Sequence, residues 1–505
     1  MAEPINTSQH EAEREEDREA VSKEQPSETP RPTKPAERIV TLDILRGVAI
    51  LGILLVNIEL VRGSDIYGLM AGHMPDYSGV DSLAHFLVGW LALSKFLTCF
   101  ALLFGIGAAI MTRRAYAAGA SPRRMLARRY GWLAVFGLAH MLLLFFGDIL
   151  FLYALCGFLL LLFINLRPRA LLIWAGSIMG FVALIGAAFT IVSAIIVSST
   201  EESTRAEEAA FLNEEEQLEV PTDTAETPEE LGRTPNEELF EENAADAGEA
   251  ALETTDVEAG AKDGTATPSF ENIFASADGW ENFITAHRKR VSETYREGPL
   301  GRQLLFRAIE AAFFQAFSLS AAPWILGLFL CGLALGRSSL LVRLTTERGL
   351  LRRITAFCIP IGLLLNIPLG IVGPLGASSM GPSLDVPILL AISTVMAQMI
   401  GVPVLAVGYL SGLALLCHRE GFLRRAVPLE RTGRMALTAY LSQSLLCATF
   451  FVGLGYYDSL TPATGLLVVL AVWVILLVFC TIWMGRFQMG PIERLWRRLT
   501  YGPSR

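Results

Sequence analysis

The first apolar segment of the chain carries charged and amide side chains that a helix facing lipid would not tolerate. It reads RIVTLDILRGVAILGILLVN from position 38 to 57, and at about 100° per residue Asp43, Arg46 and Asn57 fall on one helix face. Polar groups inside a membrane pair with one another or line a wet cavity. Two interpretations follow: Asp43 and Arg46 bind a substrate or donor, or they form an ion pair that fixes the helix end.

His140 and Asp148 form the second candidate pair. His140 lies in the third apolar segment, about 12 Å of helix from Asp148 in the outer Gly-Asp turn that leads to the fourth, and so at a depth similar to that of Asn57. A neutral imidazole can take a proton from an attacking hydroxyl or amine, and the Asn57 amide can donate to the resulting oxyanion. The alternatives are a histidine that packs between helices and an aspartate that caps a helix.

Arg434 and Gln443 lie at the start of the ninth apolar segment. Arg434 and the arginine-rich loop before it, 417–434, can attract the phosphates of a nucleotide-like donor such as CoA. Membrane topology alone would also explain these arginines, and Gln443 can equally bond a neighbouring helix. The sequence contains no HExxH or CxxC spacing, so we predict no metal site.

Composition excludes a soluble globular protein. The 505 residues are 52% hydrophobic with a mean hydropathy of +0.45, which is typical of a polytopic membrane protein whose main partner is the lipid bilayer. The net charge of -9 is concentrated in residues 200–268, which hold 22 acidic and 3 basic side chains. The remainder is basic, as expected for arginine-rich cytoplasmic loops, and nothing indicates a nucleic-acid partner.

The hydropathy pattern predicts an all-α membrane protein with about ten transmembrane helices in one bundle. We expect a disordered cytoplasmic tail (1–37), a first membrane half with five spans (38–197), an extracytoplasmic loop that is acidic and disordered to about 268 (198–305), and a second half with five spans and a C-terminal amphipathic helix (306–505). The third and fourth spans are predicted near 130–146 and 149–165.

Charge in the loops predicts the orientation. The loop 113–129 carries six arginines and no acid, whereas the candidate outer loops near 147, 373–385 and 456–462 carry no Lys or Arg. Because positively charged loops stay on the cytoplasmic side, we expect both termini in the cytoplasm and the acidic loop outside.

Six motifs in one order resemble the YeiB-like bacterial membrane family, domain of unknown function 418. They are RIVTLDILRGVAILGILLVNI, KFLTCFALLFGIGAA, GLAHMLLLFFGDILFLYALCG, GLFLCGLALGR, GRMALTAYLSQSLL and GPIERLWRRLTYG. The resemblance extends over most of 38–502 and leaves the acidic stretch 200–268 outside the pattern. It implies a multi-pass protein of the bacterial inner (plasma) membrane.

The pattern LDxxRGxAIxxxxxxN of the first segment is also similar to the start of the transmembrane acyltransferases that include heparan glucosaminide N-acetyltransferase. That similarity implies transfer of an acyl group from cytosolic acyl-CoA, as co-substrate, to a small-molecule acceptor at or across the membrane. Asp43, Arg46, Gly47 and Asn57 match it.

The histidine of those acyltransferases has no counterpart at the expected distance after Asn57, since the nearest are His73 and His85. His140 is therefore the base that we predict. The alternative function is a transporter or exporter of a small metabolite or lipid that uses the same buried polar residues.

Overall fold

The computed structural model describes residues 39–63, 77–218, 277–376 and 388–501, and these ranges contain helices and no strand. The helices of the first part are α1 Val40–Val61, α2 Gly79–Leu91, α3 Lys95–Ala117, α4 Pro122–Leu143, α5 Leu150–Leu160 and α6 Pro168–Leu218. The protein is therefore an all-helical membrane protein, as the hydropathy pattern predicts.

The second part has thirteen helices within the described ranges, some joined by single turns. They are α7 Ala277–Glu297, α8 Leu300–Ser318, α9 Ala322–Arg337, α10 Leu340–Thr346, α11 Arg348–Leu365, α12 Ile367–Gly376, α13 Ile388–Met396, α14 Val402–Leu416, α15 Glu420–Arg425, α16 Val427–Arg434, α17 Ala436–Ala448, α18 Pro462–Arg486 and α19 Pro491–Tyr501. Two π-helical turns, Ala397–Gly401 and Thr449–Gly453, extend α13 and α17.

The chain divides into a larger unit, Met1–Ala194 with Glu281–Arg505, and a smaller unit, Ile195–Trp280. In the smaller unit the described residues are the end of α6 and the first turn of α7. Within the predicted extracytoplasmic loop, 198–305, the described residues 198–218, 277–297 and 300–305 are helical. The predicted tail 1–37 and most of the acidic stretch lie outside the described residues.

Seven helical stretches of the described chain are long and apolar enough to cross a membrane, or eight when α11 and the start of α12, bent by 42°, count as one span. The sequence predicts about ten, and the difference lies in α4 and α5. The first half of α4 is rich in arginine. Helix α5 has 11 residues, about 16 Å, or half of a hydrocarbon core. The apolar run 149–165 is long enough to span the membrane, but residues 161–165 form turns in place of a further stretch of helix.

Small residues bring the central helices into contact. Helices α3 and α9 cross where Gly105 meets Gly332, and a Cβ at Gly105 would overlap the Phe329 carbonyl. Membrane helices associate through such small residues because lipid is as apolar as the helix surfaces, so that close packing replaces the hydrophobic effect as the driving force. The crossing stacks Phe104 on Phe329, with ring centroids 4.5 Å apart, and thereby fixes Phe104 in the bundle core.

Candidate functional site

A cavity of about 410 Å³ lies among α1, α3, α4, α5, α16, α17 and α19. Its lining runs along α1 from Ile39 to Ile53 and along α3 from Phe100 to Arg114. Either path corresponds to about 20 Å at 1.5 Å per residue. The cavity is therefore deep enough for an extended ligand that reaches from the helix ends into the bundle.

One end of the cavity is strongly basic. The charged residues of its lining are six arginines and two acids: Arg46, Arg113, Arg114, Arg129, Arg434, Arg497, Asp43 and Glu493. Asp43 and Arg46 pair at 2.8 Å, and Arg434 lies 3.7 Å from Glu430. A surplus of guanidinium groups in a cleft is suited to phosphate groups, which arginine binds in a bidentate manner.

Two glycines bring α1 and α16 together at this end. A Cβ at Gly433 would overlap the Asp43 carbonyl, and a Cβ at Gly47 would overlap the Leu429 carbonyl. The two backbones can approach this closely only because both residues lack a side chain. As a result Arg434, next to Gly433, lines the same cavity as Asp43 and Arg46.

The opposite end is uncharged. It is lined by aliphatic and aromatic side chains from five helices, namely Ile50, Ile53, Phe100, Leu103, Phe104, Leu133, Leu150, Tyr153 and Tyr440, together with Ile149 just before α5. Ligand sites commonly combine such an apolar wall with a few fixed polar groups. The cavity thus changes from basic to apolar along its length.

His140 and Asp148 form a buried pair directly behind this apolar end. His140 Nδ1 lies 2.7 Å from Asp148 Oδ1, and both side chains are fully buried. An ionised carboxylate only accepts hydrogen bonds, so we assign the proton to Nδ1 and a lone pair to Nε2. Nε2 is buried and has no hydrogen-bond partner among the described residues.

The turn between α4 and α5 holds this pair in place. Asp148 Oδ2 accepts the amide of Phe151 at 2.8 Å and so caps α5, while Gln315 Nε2 donates to the Asp148 carbonyl at 2.7 Å. Gly137, one turn before His140, leaves room for this contact, since a Cβ there would lie 2.8 Å from Asp148 Oδ2. Asp148 therefore combines the capping role with the orientation of the imidazole.

Tyr440 connects the cavity with the His140–Asp148 pair. Its ring lies 5.0 Å from the imidazole, centroid to centroid, with an angle of 48° between the planes. Tyr440 is part of the cavity lining, as is Ile149, the residue after Asp148. One aromatic ring thus lies between the apolar end of the cavity and the imidazole.

The structure brings together part of the predicted set. Asp43, Arg46 and Arg434 line the cavity, whereas Asn57, His140, Asp148 and Gln443 are not among its lining residues. Gln443 Nε2 donates to the Ile50 carbonyl at 3.2 Å, as a hydrogen bond between helices.

Asn57 is half-buried, one helical turn, about 6 Å, beyond the last lining residue of α1. The first helix thus lines a cavity that His140 does not line, and Tyr440 is a lining residue that contacts the imidazole.

Sequence reasoning did not connect helix α19 with the cavity. Its pattern predicts a helix on the membrane surface, but Glu493, Trp496 and Arg497 line the cavity. Trp496 donates to the Arg129 carbonyl at 3.0 Å and lies under the Arg129 guanidinium, 3.5 Å from the ring centroid. The sequence signal for this contact is an arginine-rich helix together with a tryptophan near the C-terminus, because guanidinium groups and indole rings attract each other.

Glu493 anchors the same helix to α17. Its carboxylate accepts the amide of Thr438 at 2.9 Å and also the Thr438 hydroxyl. Burial raises the pKa of Glu493, and the hydrogen bonds from Thr438 oppose that rise. The C-terminal helix is thus a wall of the cavity that is fixed by specific contacts.

Three relatives resemble this chain. The YxaH protein of Bacillus subtilis (strain 168) is 28% identical over 93% of this chain and 96% of its own length. The YeiB protein of Escherichia coli (strain K12) is 28% identical over 92% of this chain and 96% of its own length. A 39.9 kDa protein encoded in the amylase 3′ region of Bacillus acidopullulyticus is 34% identical over 30% of this chain and 41% of its own length.

No solved structure matches the chain significantly. Residues 335–503, which include Arg434, Tyr440 and α19, match the family described as "Protein of unknown function (DUF418)". This match and the two nearly full-length relatives support the resemblance of the chain to the YeiB-like DUF418 family.

Proposed function

We propose that the protein is an integral membrane acyltransferase that takes an acyl group from cytosolic acyl-CoA and passes it to an acceptor at or across the membrane. The observation that carries this proposal is the single cavity that extends over about 20 Å and changes from a basic to an apolar end, with a buried histidine–aspartate pair behind the latter. A CoA thioester has the matching polarity, since phosphates lie at one end and an acyl group at the other.

At the basic end the arginines would hold the phosphates of the donor. Arg46 and Arg434 come from crossing helices, and Arg113 and Arg129 come from the ends of α3 and α4. Groups from several helices can contact more than one phosphate at once, and each charge-assisted hydrogen bond contributes more than a neutral one. The thioester would then lie beside Tyr440.

At the apolar end His140 would act as the base. A hydroxyl or amine of the acceptor attacks the thioester carbonyl carbon, and its proton passes to His140 Nε2, which the acceptor must reach past the Tyr440 ring. The new C–O or C–N bond forms, and the C–S bond breaks. The imidazolium then gives the proton to the departing thiolate, so that CoA leaves as a free thiol. Asp148 keeps Nδ1 protonated and stabilises the imidazolium, as in other base–carboxylate pairs.

The proposal includes the orientation predicted from the loops. Arg113 and Arg434 border arginine-rich loops, and the positive-inside rule puts these on the cytoplasmic side of the bacterial inner membrane. The basic end would then receive a cytosolic donor. Both termini would be cytoplasmic, and the stretch between α6 and α8 would be extracytoplasmic.

The experiment uses the full chain in proteoliposomes with radiolabelled acetyl-CoA and a panel of longer acyl-CoA donors. We expect saturable donor binding, release of free CoA and a labelled product. His140→Ala should abolish transfer and retain donor binding, because the imidazole is not part of the cavity lining. His418→Ala is the control, since His418 bonds the Ala414 carbonyl on α14, outside the cavity. Absence of donor binding, or normal turnover by His140→Ala, would refute the proposal.

A transporter of a small metabolite or lipid is the second candidate, and interrupted helices favour it. Helices α11 and α12 are bent by 42°, and π-helical turns interrupt the stretches that contain α13 and α17. Discontinuous helices of this kind often form substrate sites in transporters. Flux of an unmodified compound into proteoliposomes without release of CoA would support transport in place of acyl transfer.

A further inference from the structure

Tyr440 lines the apolar end of the cavity, and its buried hydroxyl has a hydrogen to donate. Tyr440 is 2% exposed, and its ring is part of the cavity lining. The amide of Ile149 is close to the hydroxyl oxygen, but the hydroxyl hydrogen finds no acceptor among the described residues. A buried donor without an acceptor costs free energy unless a ligand supplies one.

The N-terminal end of α5 borders the same place. Ile149 and Leu150, the last residue before α5 and its first residue, both line the cavity. The Asp148 carboxylate already caps this helix end. The Tyr440 phenol is therefore the polar group that offers an unused donor at this part of an otherwise uncharged wall.

We propose that Tyr440 donates a hydrogen bond to the thioester carbonyl oxygen of the acyl donor and to the oxyanion that forms from it. The inference rests on the proposed acyl transfer and assigns one further catalytic residue to it. Attack on the carbonyl carbon moves the C=O electron pair onto oxygen, and the phenol donates its hydrogen bond to that oxygen while keeping its proton. When the C–S bond breaks, the electron pair returns to form the carbonyl of the product.

Tyr440 is suited to this role because it lies between the cavity, where the acyl donor would bind, and His140, the proposed base. His140 acts on the proton of the acceptor, and a second group must stabilise charge on the carbonyl oxygen. A donor that is fixed by packing needs no reorganisation during the reaction. The 5.0 Å contact with the imidazole positions the phenol beside the group that receives the proton.

The test compares acetyl-CoA with S-ethyl-CoA, which lacks the carbonyl oxygen, on wild-type protein and on Tyr440→Phe. We expect the wild type to bind acetyl-CoA about fivefold more tightly than S-ethyl-CoA, and Tyr440→Phe to bind both equally. The turnover number of Tyr440→Phe should fall about 10²-fold or more. Acetyl-CoA labelled with ¹³C at the carbonyl should show a lower infrared stretching frequency on the wild type than on this variant.

Tyr130→Phe is the matched control. Tyr130 is also fully buried, and its hydroxyl likewise has no hydrogen-bond partner among the described residues, but it does not line the cavity. Its substitution should leave the ratio of the two affinities and the carbonyl frequency unchanged.

Replacement of Tyr440 by 3,5-difluorotyrosine keeps the hydroxyl and makes it a stronger donor, so folding is preserved. We expect it to lower the carbonyl frequency further.

The outcomes separate the inference from the proposed function. If the wild type binds and transfers the acetyl group while Tyr440→Phe matches it in turnover, affinity ratio and carbonyl frequency, the Tyr440 inference is overturned and acyl transfer stands. An unchanged frequency with 3,5-difluorotyrosine would overturn it as well. If the wild type binds neither CoA derivative, both proposals are refuted.

Discussion

The two ends of the cavity are built in opposite ways. The basic end collects arginines from the ends of separate helices and from α1, and the side chain of Arg46 remains 28% exposed. The other end depends on the turn 144–149 and on His140 in α4, where His140 and Asp148 are fully buried and Asp148 makes three hydrogen bonds. Each exposed charge makes its own small contribution to the interaction free energy, whereas a buried polar network loses its arrangement when one of its residues is replaced.

This difference predicts which substitutions weaken binding of the donor and which slow the transfer step. Changes at the basic end should weaken donor binding in steps and depend on salt. Changes at the buried pair should reduce turnover sharply and leave donor binding intact. The first two predictions below test this division, and the third tests how α19 is docked on the basic end; they run from the largest expected effect to the smallest.

Asp148→Asn should have the largest effect. The asparagine oxygen can still accept the Phe151 amide, so the cap on α5 survives, but the amide nitrogen then faces His140 Nδ1 and forces the proton onto Nε2. We expect transfer to fall by about 10²- to 10⁴-fold, with donor affinity unchanged. The rate of a single turnover at saturating acyl-CoA measures the loss of transfer. Turnover within threefold of wild type would show that the pair only packs helices together.

Arg46→Ala should have an intermediate effect on binding alone. Loss of one phosphate contact is expected to raise the Kd for acyl-CoA about tenfold or more, and the salt dependence of binding should become less steep. The turnover number at saturation should remain near that of the wild type.

Arg424→Ala is the control for Arg46→Ala, since Arg424 on α15 is 83% exposed and outside the cavity. Equal Kd values for both variants would contradict a phosphate site at Arg46.

The smallest effect concerns pH and the C-terminal helix. Burial raises the folded-state pKa of Glu493, so this group stabilises the docked α19 fully below its ordinary pKa, and the stabilisation is lost as pH rises through the raised value. Proteolysis of α19 should therefore become faster from pH 4 to pH 8. Glu493→Gln should remove that dependence. The opposite pH trend in the wild type would contradict the assigned cause.

Sequence reasoning reached the features that are local along the chain. The face with Asp43 and Arg46 follows from helical periodicity, and the cap at Asp148 follows from a Gly-Asp turn before an apolar run. Local chemistry suffices for these features because the interacting residues are few positions apart.

Contacts between distant segments could not be predicted in the same way. Trp496 meets Arg129 across 367 positions, and Tyr440 meets His140 across 300, so no periodicity relates them. The length of α5 was also missed, since hydropathy shows how apolar residues 149–165 are but not where the helix ends. The arginines of 113–129 were assigned to topology, although Arg113, Arg114 and Arg129 also line the cavity.

The most direct test of the central claim is a cryo-electron microscopy structure of the full chain in lipid nanodiscs with S-ethyl-CoA. We predict density for the phosphates among Arg46, Arg434 and Arg129, and density for the sulfur beside Tyr440 and within reach of His140. Density for the ligand elsewhere in the bundle, or an unfilled cavity at saturating ligand, would contradict the account.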